Sequence, residues 1–374
     1  MTQSIAIIGG GIVGSTAAYY LSEFNKKDDL DITVFDYGVG QATKAAAGII
    51  SPWLSKRRNK SWYELSKDGA TLLSSIAEKT NMSKGIYNQC GTIITRNKLE
   101  DISNLYDLAI ERSNDTDTIG EIYKLTPDEV KRHIPIIDSN IPGLLVTGGA
   151  RIKGDKYTDH LLKIAKNNGV SVVNKEITIN EKTNVVCDGE EIQFDKIILA
   201  TGAWTKNVLA ELPLEVDVRP QKGQLIELSI NHINMSDEDM PVLMPEGESD
   251  FIPLGNGRLI VGASHENDKD FDLNPDSDVI DDLLNSATSL LPSLSAENLI
   301  RVKIGTRAYT SDFAPFFGEI PGYEKILVGS GLGSSGLTTG PLVGKILAEM
   351  ATDNLSTDID KYRKPIENYI KLIK

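Results

Sequence analysis

The feature that most constrains this chain is the glycine pattern Gly9-Gly-Gly11-Ile-Val-Gly14, set between a short apolar run and a stretch with helical spacing. Ser4-Ile-Ala-Ile-Ile8 reads as a strand, residues 12–24 as a helix, 25–29 as a polar loop, and Asp31-Ile-Thr-Val-Phe35 as a second strand. In such a βαβ unit Gly9 permits the tight turn and Gly11 lets the backbone approach a pyrophosphate. Gly14 lets the helix lie close on the strand. Phosphates would meet free N–H groups and the positive end of the helix dipole where Ile12 and Val13 stand. Asp36 closes the second strand, where a carboxylate can accept hydrogen bonds from a ribose and disfavours a phosphorylated one. Loop, strand, helix and acid agree on a bound dinucleotide, without separating FAD from NAD.

At 374 residues the chain is long enough for about two domains. Acidic residues number 53 against 39 Lys and Arg, a formal charge of −14, which argues against nucleic acid or an anionic membrane as a partner. A small anionic substrate is still admitted, because a local cationic pocket can sit within a negative protein. Two cysteines, Cys90 and Cys187, form no disulfide framework or CxxC pattern. His133, His160, His232 and His265 are scattered, so no metal site is expected. No apolar run approaches the ~20 residues a membrane helix needs, and no secretory signal is read at the start. The expectation is a soluble, cytoplasmic protein without a membrane span.

Along the chain, residues 62–80 show helical spacing and 87–95 read as a strand with Gly91 inside it. A helix at 159–168 precedes strands at 170–173 and 196–200. Separate strands follow at 224–229, 250–253 and 258–263. The end returns to the character of the beginning: a strand at 325–328, a glycine-rich loop, and a helix over 340–350. The acidic runs at 236–239 and 268–282 read as solvated loops and helix faces. A discontinuous nucleotide domain (1–80, 145–215 and 300–374) and a second domain (81–144 and 216–299) are therefore expected.

Five segments in order carry a family resemblance. They are Lys44-Ala-Ala-Ala47-Gly48-Ile49-Ile50, Ala200-Thr-Gly-Ala-Trp204, Arg219-Pro-Gln-Lys-Gly-Gln224, Gly305-Thr-Arg307 with Ser311-Asp312 and Pro315-Phe-Phe-Gly318, and Gly331-Leu-Gly333-Ser-Ser-Gly336-Leu-Thr338 with Gly340 and Gly344. Together the chain resembles the D-amino-acid oxidase superfamily of flavoproteins, in particular its glycine oxidase, sarcosine oxidase and D-amino-acid dehydrogenase branch. The resemblance implies an α/β fold: a Rossmann-like FAD-binding domain with a second, mainly antiparallel-sheet (α+β) substrate domain. It implies that Ala45, Ala46, Gly48 and Ile49 pass the pyrophosphate and flavin edge. Backbone near Ile177 would touch adenine, and Thr201, Gly202 and Trp204 would line the return from the second nucleotide-contacting strand. Taken alone, Trp204 more often reads as core packing than as a ligand contact. Gly331, Gly333, Ser334, Ser335, Gly336, Leu337 and Thr338 would face the flavin's pyrimidine side, where helix N–H groups stabilise negative charge on the reduced ring.

The chemistry so implied is oxidation of the carbon–nitrogen bond of a small amino acid or secondary amine, of glycine, sarcosine or D-amino-acid type. A hydride passes to flavin N5, and oxygen or another acceptor takes the electrons onward. Arg307 matches the position whose guanidinium clamps the substrate carboxylate beside the cofactor, a grip suited to a planar fork; the other reading is a surface pair with Asp312. Three positions depart from the family pattern. Asp250 and Phe251 stand where a tyrosine is usual, leaving Phe251 and Tyr309 as candidate catalytic contacts beside Arg307. Leu332 stands where dehydrogenase-like members carry histidine, and Ala308 where proline is usual. The segment Pro52-Trp53-Leu-Ser-Lys-Arg57-Arg58-Asn-Lys60 is either an anion-receiving patch or a solvated basic loop. Covalent relatives attach flavin through a cysteine or histidine, and none lies in a flavin-contacting segment here, so noncovalent FAD is expected. Two rivals stand beside this reading: an NAD-dependent dehydrogenase sharing just the first βαβ unit, and a flavin-binding protein with a regulatory role. Oligomeric state is left open.

Overall fold

Strand β1 (Gln3–Ile8) alternates between two apolar environments, and that alternation explains the layering of the first domain. Ile5 and Ile7 join a cluster with Val13, Ala17 and Leu347, while Ala6 and Ile8 join another with Ile179, Ile197 and Val328. A strand covered on both faces is apolar throughout. Helix α1 (Ile12–Phe24) follows, then β2 (Leu30–Phe35), which pairs parallel to β1. The computed structural model of the protein describes residues 2–25, 29–55, 59–138, 140–230 and 239–373.

The six-stranded sheet is drawn from distant parts of the chain. Lys196–Leu199 lies parallel on the other side of β1, and Tyr323–Ser330 lies parallel beyond it. Ser171–Val173 extends the β2 edge, and Phe316–Ile320 closes the opposite edge as an antiparallel hairpin. The C-terminal helix, Gly336–Ala351, packs on α1. A Cβ at Gly344 would stand 2.4 Å from the Val13 carbonyl oxygen, and one at Gly340 would stand 2.5 Å from the Ile12 side chain. The two ends of the chain thus share one layer.

An eight-stranded, mainly antiparallel sheet forms the second layer. Its order runs Leu299–Tyr309, Arg219–Ser229, Arg258–Gly262, Asp250–Gly255, Val242–Met244, Thr92–Thr95, Gly143–Val146, Ile122–Leu125, with one parallel pair, Val242–Met244 on Thr92–Thr95. Helix Ser277–Leu290 covers its outer face, where Phe251, Val261 and Leu283 meet. Leu225, Ile252 and Ile260 form the inner face and pack near Ala47 and Ile49 of the first domain. Hydrogen bonding therefore puts residues 300–309 with the antiparallel sheet, and we take the last nucleotide segment to begin after Tyr309 rather than at 300.

Several element boundaries differ from the sequence expectation. The strand expected over 87–95 is two, Tyr87–Asn88 and Thr92–Thr95, because Gly91 takes a left-handed φ of 83° and the chain switches sheets there. The helix expected from 159 starts at Gly154, and the C-terminal helix expected from 340 starts at Gly336. Helix Lys60–Lys79 is capped by the Asn59 side chain, which accepts from the Trp62 N–H. The cations at 56–58 and most of the acidic run at 236–239 lie outside the described residues.

Contact between the two terminal segments is testable. Gly344→Leu forces a side chain into the Val13 backbone and should destabilise the protein by about 1–3 kcal/mol, the cost of overpacking a filled interior. The urea midpoint measures it. An unchanged midpoint would mean that the C-terminal helix does not lie against α1.

Candidate active site

A cavity of about 490 Å³ opens where the carboxyl ends of the parallel strands meet the inner face of the antiparallel sheet, the usual place for a ligand in an open α/β sheet. At its first end the glycine turn is held by backbone. Gly9 has a φ of 101°, with the Ala200 carbonyl oxygen 2.4 Å from where a Cβ would sit, and a Cβ at Gly14 would stand 1.8 Å from the Gly9 carbonyl oxygen. Gly9, Gly11, Ile12 and Val13 line the cavity, whereas Gly14 lies behind them as the packing point of helix on strand. Asp36 also lines it. Its Oδ1 accepts from the Gly10 N–H (3.0 Å) and from the Gln41 amide, and Lys44 Nζ stands 3.7 Å from Oδ2. Two residues here escaped the sequence reading. Thr43 Oγ1 accepts from the Ile12 N–H (3.0 Å), which ties the small-residue loop to the helix start, and Gln41 orients the acid. Neither carries a periodic or motif signal.

Ile177, Thr201 and Gly202 line the middle of the cavity. Trp204 does too, while its ring packs on Phe271 at 5.0 Å and against Gly40, so its two readings coexist. Ala45, Ala46, Gly48 and Ile49 form one wall, close to Gly305 and Arg307 on the strand Leu299–Tyr309. Gly333, Ser334, Gly336 and Leu337 bring the start of the C-terminal helix to the opposite wall. Gly331, Ser335 and Thr338 stand one layer back. The Ser335 hydroxyl donates to the Leu332 carbonyl (2.9 Å) and accepts from the Trp62 indole N–H (3.0 Å). Trp62, too, gave no signal in the sequence.

Two expected catalytic contacts are corrected. Phe251 is buried on the outer face of its strand, between Leu243 and Val261, because successive side chains point to opposite sides of a sheet; its neighbour Asp250 faces the cavity instead. Tyr309 is buried behind the loop at Gly333, and its hydroxyl accepts from the Ser334 N–H (3.1 Å), so it props the loop without lining the cavity. The alternative pairing of Arg307 with Asp312 does not form. Asp312 is bonded to Lys364 and to the Tyr369 hydroxyl. Trp53 is a core residue at 1% exposure, which leaves the anion-receiving reading of its segment to Lys60, exposed at the start of its helix, and to the cations at 56–58 outside the described residues.

Arg307 is the central cation. Its Nη1 donates to Gln221 Oε1 (2.9 Å) and to the Ser264 carbonyl (2.8 Å), both neutral acceptors. A Cβ at Gly223 would lie 2.7 Å from the guanidinium carbon, so that group lies flat over a bare stretch of strand Arg219–Ser229. At the rim, partial burial and then the Arg307 charge hold His265 below its ordinary value. Two buried polar atoms of the lining, Gln41 Oε1 and Thr306 Oγ1, have no hydrogen-bond partner among the described residues. Buried polar atoms are ordinarily partnered. An elongated polar ligand with a flat end fits this lining: bare backbone and a ribose acceptor at one end, small side chains and a helix start at the other.

Comparison with known proteins agrees. A profile of the family described as "DAO: FAD dependent oxidoreductase" matches residues 4–350. An uncharacterised oxidoreductase, YurR, of Bacillus subtilis (strain 168) is 32% identical over 370 residues, covering 96% of this chain and 97% of that protein. Glycine oxidase of the same organism is 23% identical over 361 residues, covering 92% and 91%. The crystal structure of iminodiacetate oxidase (IdaA) from Chelativorans sp. BNC1 matches with a TM-score of 0.89 at 27% identity, covering 96% of this chain and 98% of that one.

The Asp250 carboxyl yields a prediction. Burial pushes it up to about 7, with Arg96 pulling it down. The unfolded chain loses that proton near 3.8, so between about pH 4 and 7 the folded protein holds one proton more. Stability therefore falls as pH rises through that window, by at most ~1.4 kcal/mol per pH unit. In Asp250→Asn this fall disappears. Urea midpoints of ligand-free wild type and variant between pH 5 and 8 measure it, and parallel curves would show the carboxyl is not so held.

Proposed function

The chain belongs to the DAO family of FAD-dependent oxidoreductases, and from that premise we infer that it oxidises the carbon–nitrogen bond of a small amino acid or secondary amine whose carboxylate is held by Arg307. Membership sets aside the nicotinamide alternative: FAD is the cofactor, and the chain is an enzyme acting on amine or amino-acid C–N bonds. No described helix is long and apolar enough to cross a membrane.

The carrying observation is the environment of Arg307. A largely buried guanidinium whose hydrogen bonds go to neutral acceptors is a costly arrangement by itself. Glu266 acts on this guanidinium only through space, and a substrate carboxylate entering the cavity would add a directly hydrogen-bonded anion in a bidentate geometry. In this reading the bare turn at Gly9–Val13 would hold the pyrophosphate and Asp36 a ribose. The walls at Ala45–Ile49 and Gly333–Leu337 would hold the ring. Bound FAD supplies the two-electron acceptor, itself reoxidised by oxygen or another acceptor. The substrate loses a hydride from carbon and a proton from nitrogen, leaving an imine that water hydrolyses to a carbonyl compound and an amine. The protein's part is orientation: Arg307 fixes one end of the substrate, Gln221 and Gly223 fix the plane of Arg307, and His265 stays neutral at neutral pH, so it does not repel a cationic amine.

Anaerobic titration of the purified holoenzyme with a panel of amino acids, followed by the visible flavin absorbance, tests this. Carboxylate-bearing amines should bleach the flavin. Arg307→Ala should weaken their apparent affinity by about 2–5 kcal/mol, as expected when one partner of a desolvated charge pair is lost. Arg307→Lys should recover part of the loss, since an ammonium lacks the planar fork. Identical titration curves for wild type and Arg307→Ala would remove Arg307 from the substrate site.

A further inference from the structure

The sheet face that carries Arg307 also carries, further across, acids that the reading above does not use. Asp250 opens the strand Asp250–Gly255 and pairs with Gly262, which in turn pairs with Leu225; all three line the cavity. Among the described residues the Asp250 carboxyl receives no hydrogen bond. Arg96, the cation whose charge it feels, donates to the Thr95 carbonyl. Glu248 stands on the same rim. The described part of this end therefore offers the Asp250 and Glu248 carboxylates, with the Arg96 charge acting on Asp250 and Arg307 further along the same face. The Arg307 guanidinium lies over Gly223, two residues along its strand from Leu225, and Leu225 stands two strand spacings from Asp250, so about 7 Å along the strands and about 10 Å across them, roughly 12 Å in all, separate Gly223 from Asp250. The Asp250 side chain reaches inward and shortens that span. A compound with its carboxylate at Arg307 and a further group several bonds away can touch both groups.

We propose that Asp250 is a specificity-determining residue that receives a cationic group at the far end of the substrate, so that the enzyme selects amino acids or N-substituted amino acids bearing a second amine or a guanidine. This rests on the assignment of Arg307 to the substrate carboxylate. A carboxyl taken out of water without a partner is unfavourable in its charged form, and its burial-raised titration is the mark of that cost. An arriving ammonium offsets it. A neutral residue would close the same wall without any such cost, and the period-two alternation that turns Phe251 outward turns this acid inward.

The test compares isosteric pairs on the holoenzyme under anaerobic conditions: lysine with 2-aminoheptanoate and arginine with citrulline, each in both α-configurations. The cationic member should reduce the flavin with a ratio of reduction rate constant to Kd about tenfold or more above its neutral partner, the scale on which a charged contact discriminates. Asp250→Asn should collapse that ratio towards one, mainly through Kd, and Asp250→Glu should retain part of it; flavin content and far-UV dichroism check that both variants fold. A ratio near one in the wild type, or one that Asp250→Asn leaves intact, overturns the role of Asp250 while leaving the proposed function standing. Faster reduction by a dicarboxylic amine such as iminodiacetate than by any cationic compound overturns it as well. Bleaching by glycine or sarcosine but by none of this panel overturns the inference alone, and bleaching by neither removes the proposed function and this inference together.

Discussion

The packing of α1 against the C-terminal helix is the contact on which the site depends. Residues near 13 and near 344 come within backbone distance because neither Gly344 nor Gly340 carries a side chain. This approach brings the glycine turn and the start of the C-terminal helix to one cavity, and the strand Tyr323–Ser330 supports it by continuing the parallel sheet beyond Lys196–Leu199. A cofactor that is long, charged at one end and flat at the other needs walls from both termini. The chain supplies them by closing on itself rather than by growing a second nucleotide motif.

Electrostatics in the cavity are asymmetric by construction. Arg307 is placed on the inner face by a strand that also carries Gly305, and its own hydrogen bonds go to an amide and a carbonyl, which orient the guanidinium without neutralising it. Across the sheet, burial opposes ionisation of Asp250. Among the described residues neither group is hydrogen-bonded to a countercharge: Arg307 feels the Glu266 carboxylate and Asp250 the Arg96 guanidinium only through space.

What could be read in the sequence was whatever depends on local geometry. The turn at Gly9–Gly14 and the acid at Asp36 are spaced by the rise of a strand and the length of a helix, and they fall together in the fold. The small-residue run at 44–49 and the glycine loop before 336 were legible because close approach needs small side chains. Tertiary reach was not legible. Thr43 and Gln41 act from a loop onto a turn across 31 and 5 residues of chain, and Trp62 bonds Ser335 across 273. Phe251 was misassigned for a different reason. Choosing between it and Asp250 needs the register of the strand, which a one-residue slip inverts and which pairing with Leu243 and Gly262 settles.

The bare backbone beneath Arg307 has a consequence for how such a site can change over generations. Position 223 admits no side chain while the guanidinium lies across it, and the groups that steady the guanidinium come from the strand Arg219–Ser229 and the segment that follows Arg258–Gly262. Altering the carboxylate end would require several coordinated replacements. The far wall, built from the exposed segment around Glu248 and the first residue of one strand, presents no such interlock. Divergence among descendants of this fold is therefore channelled: the grip on the common part of the substrate stays frozen, and novelty enters through the rim.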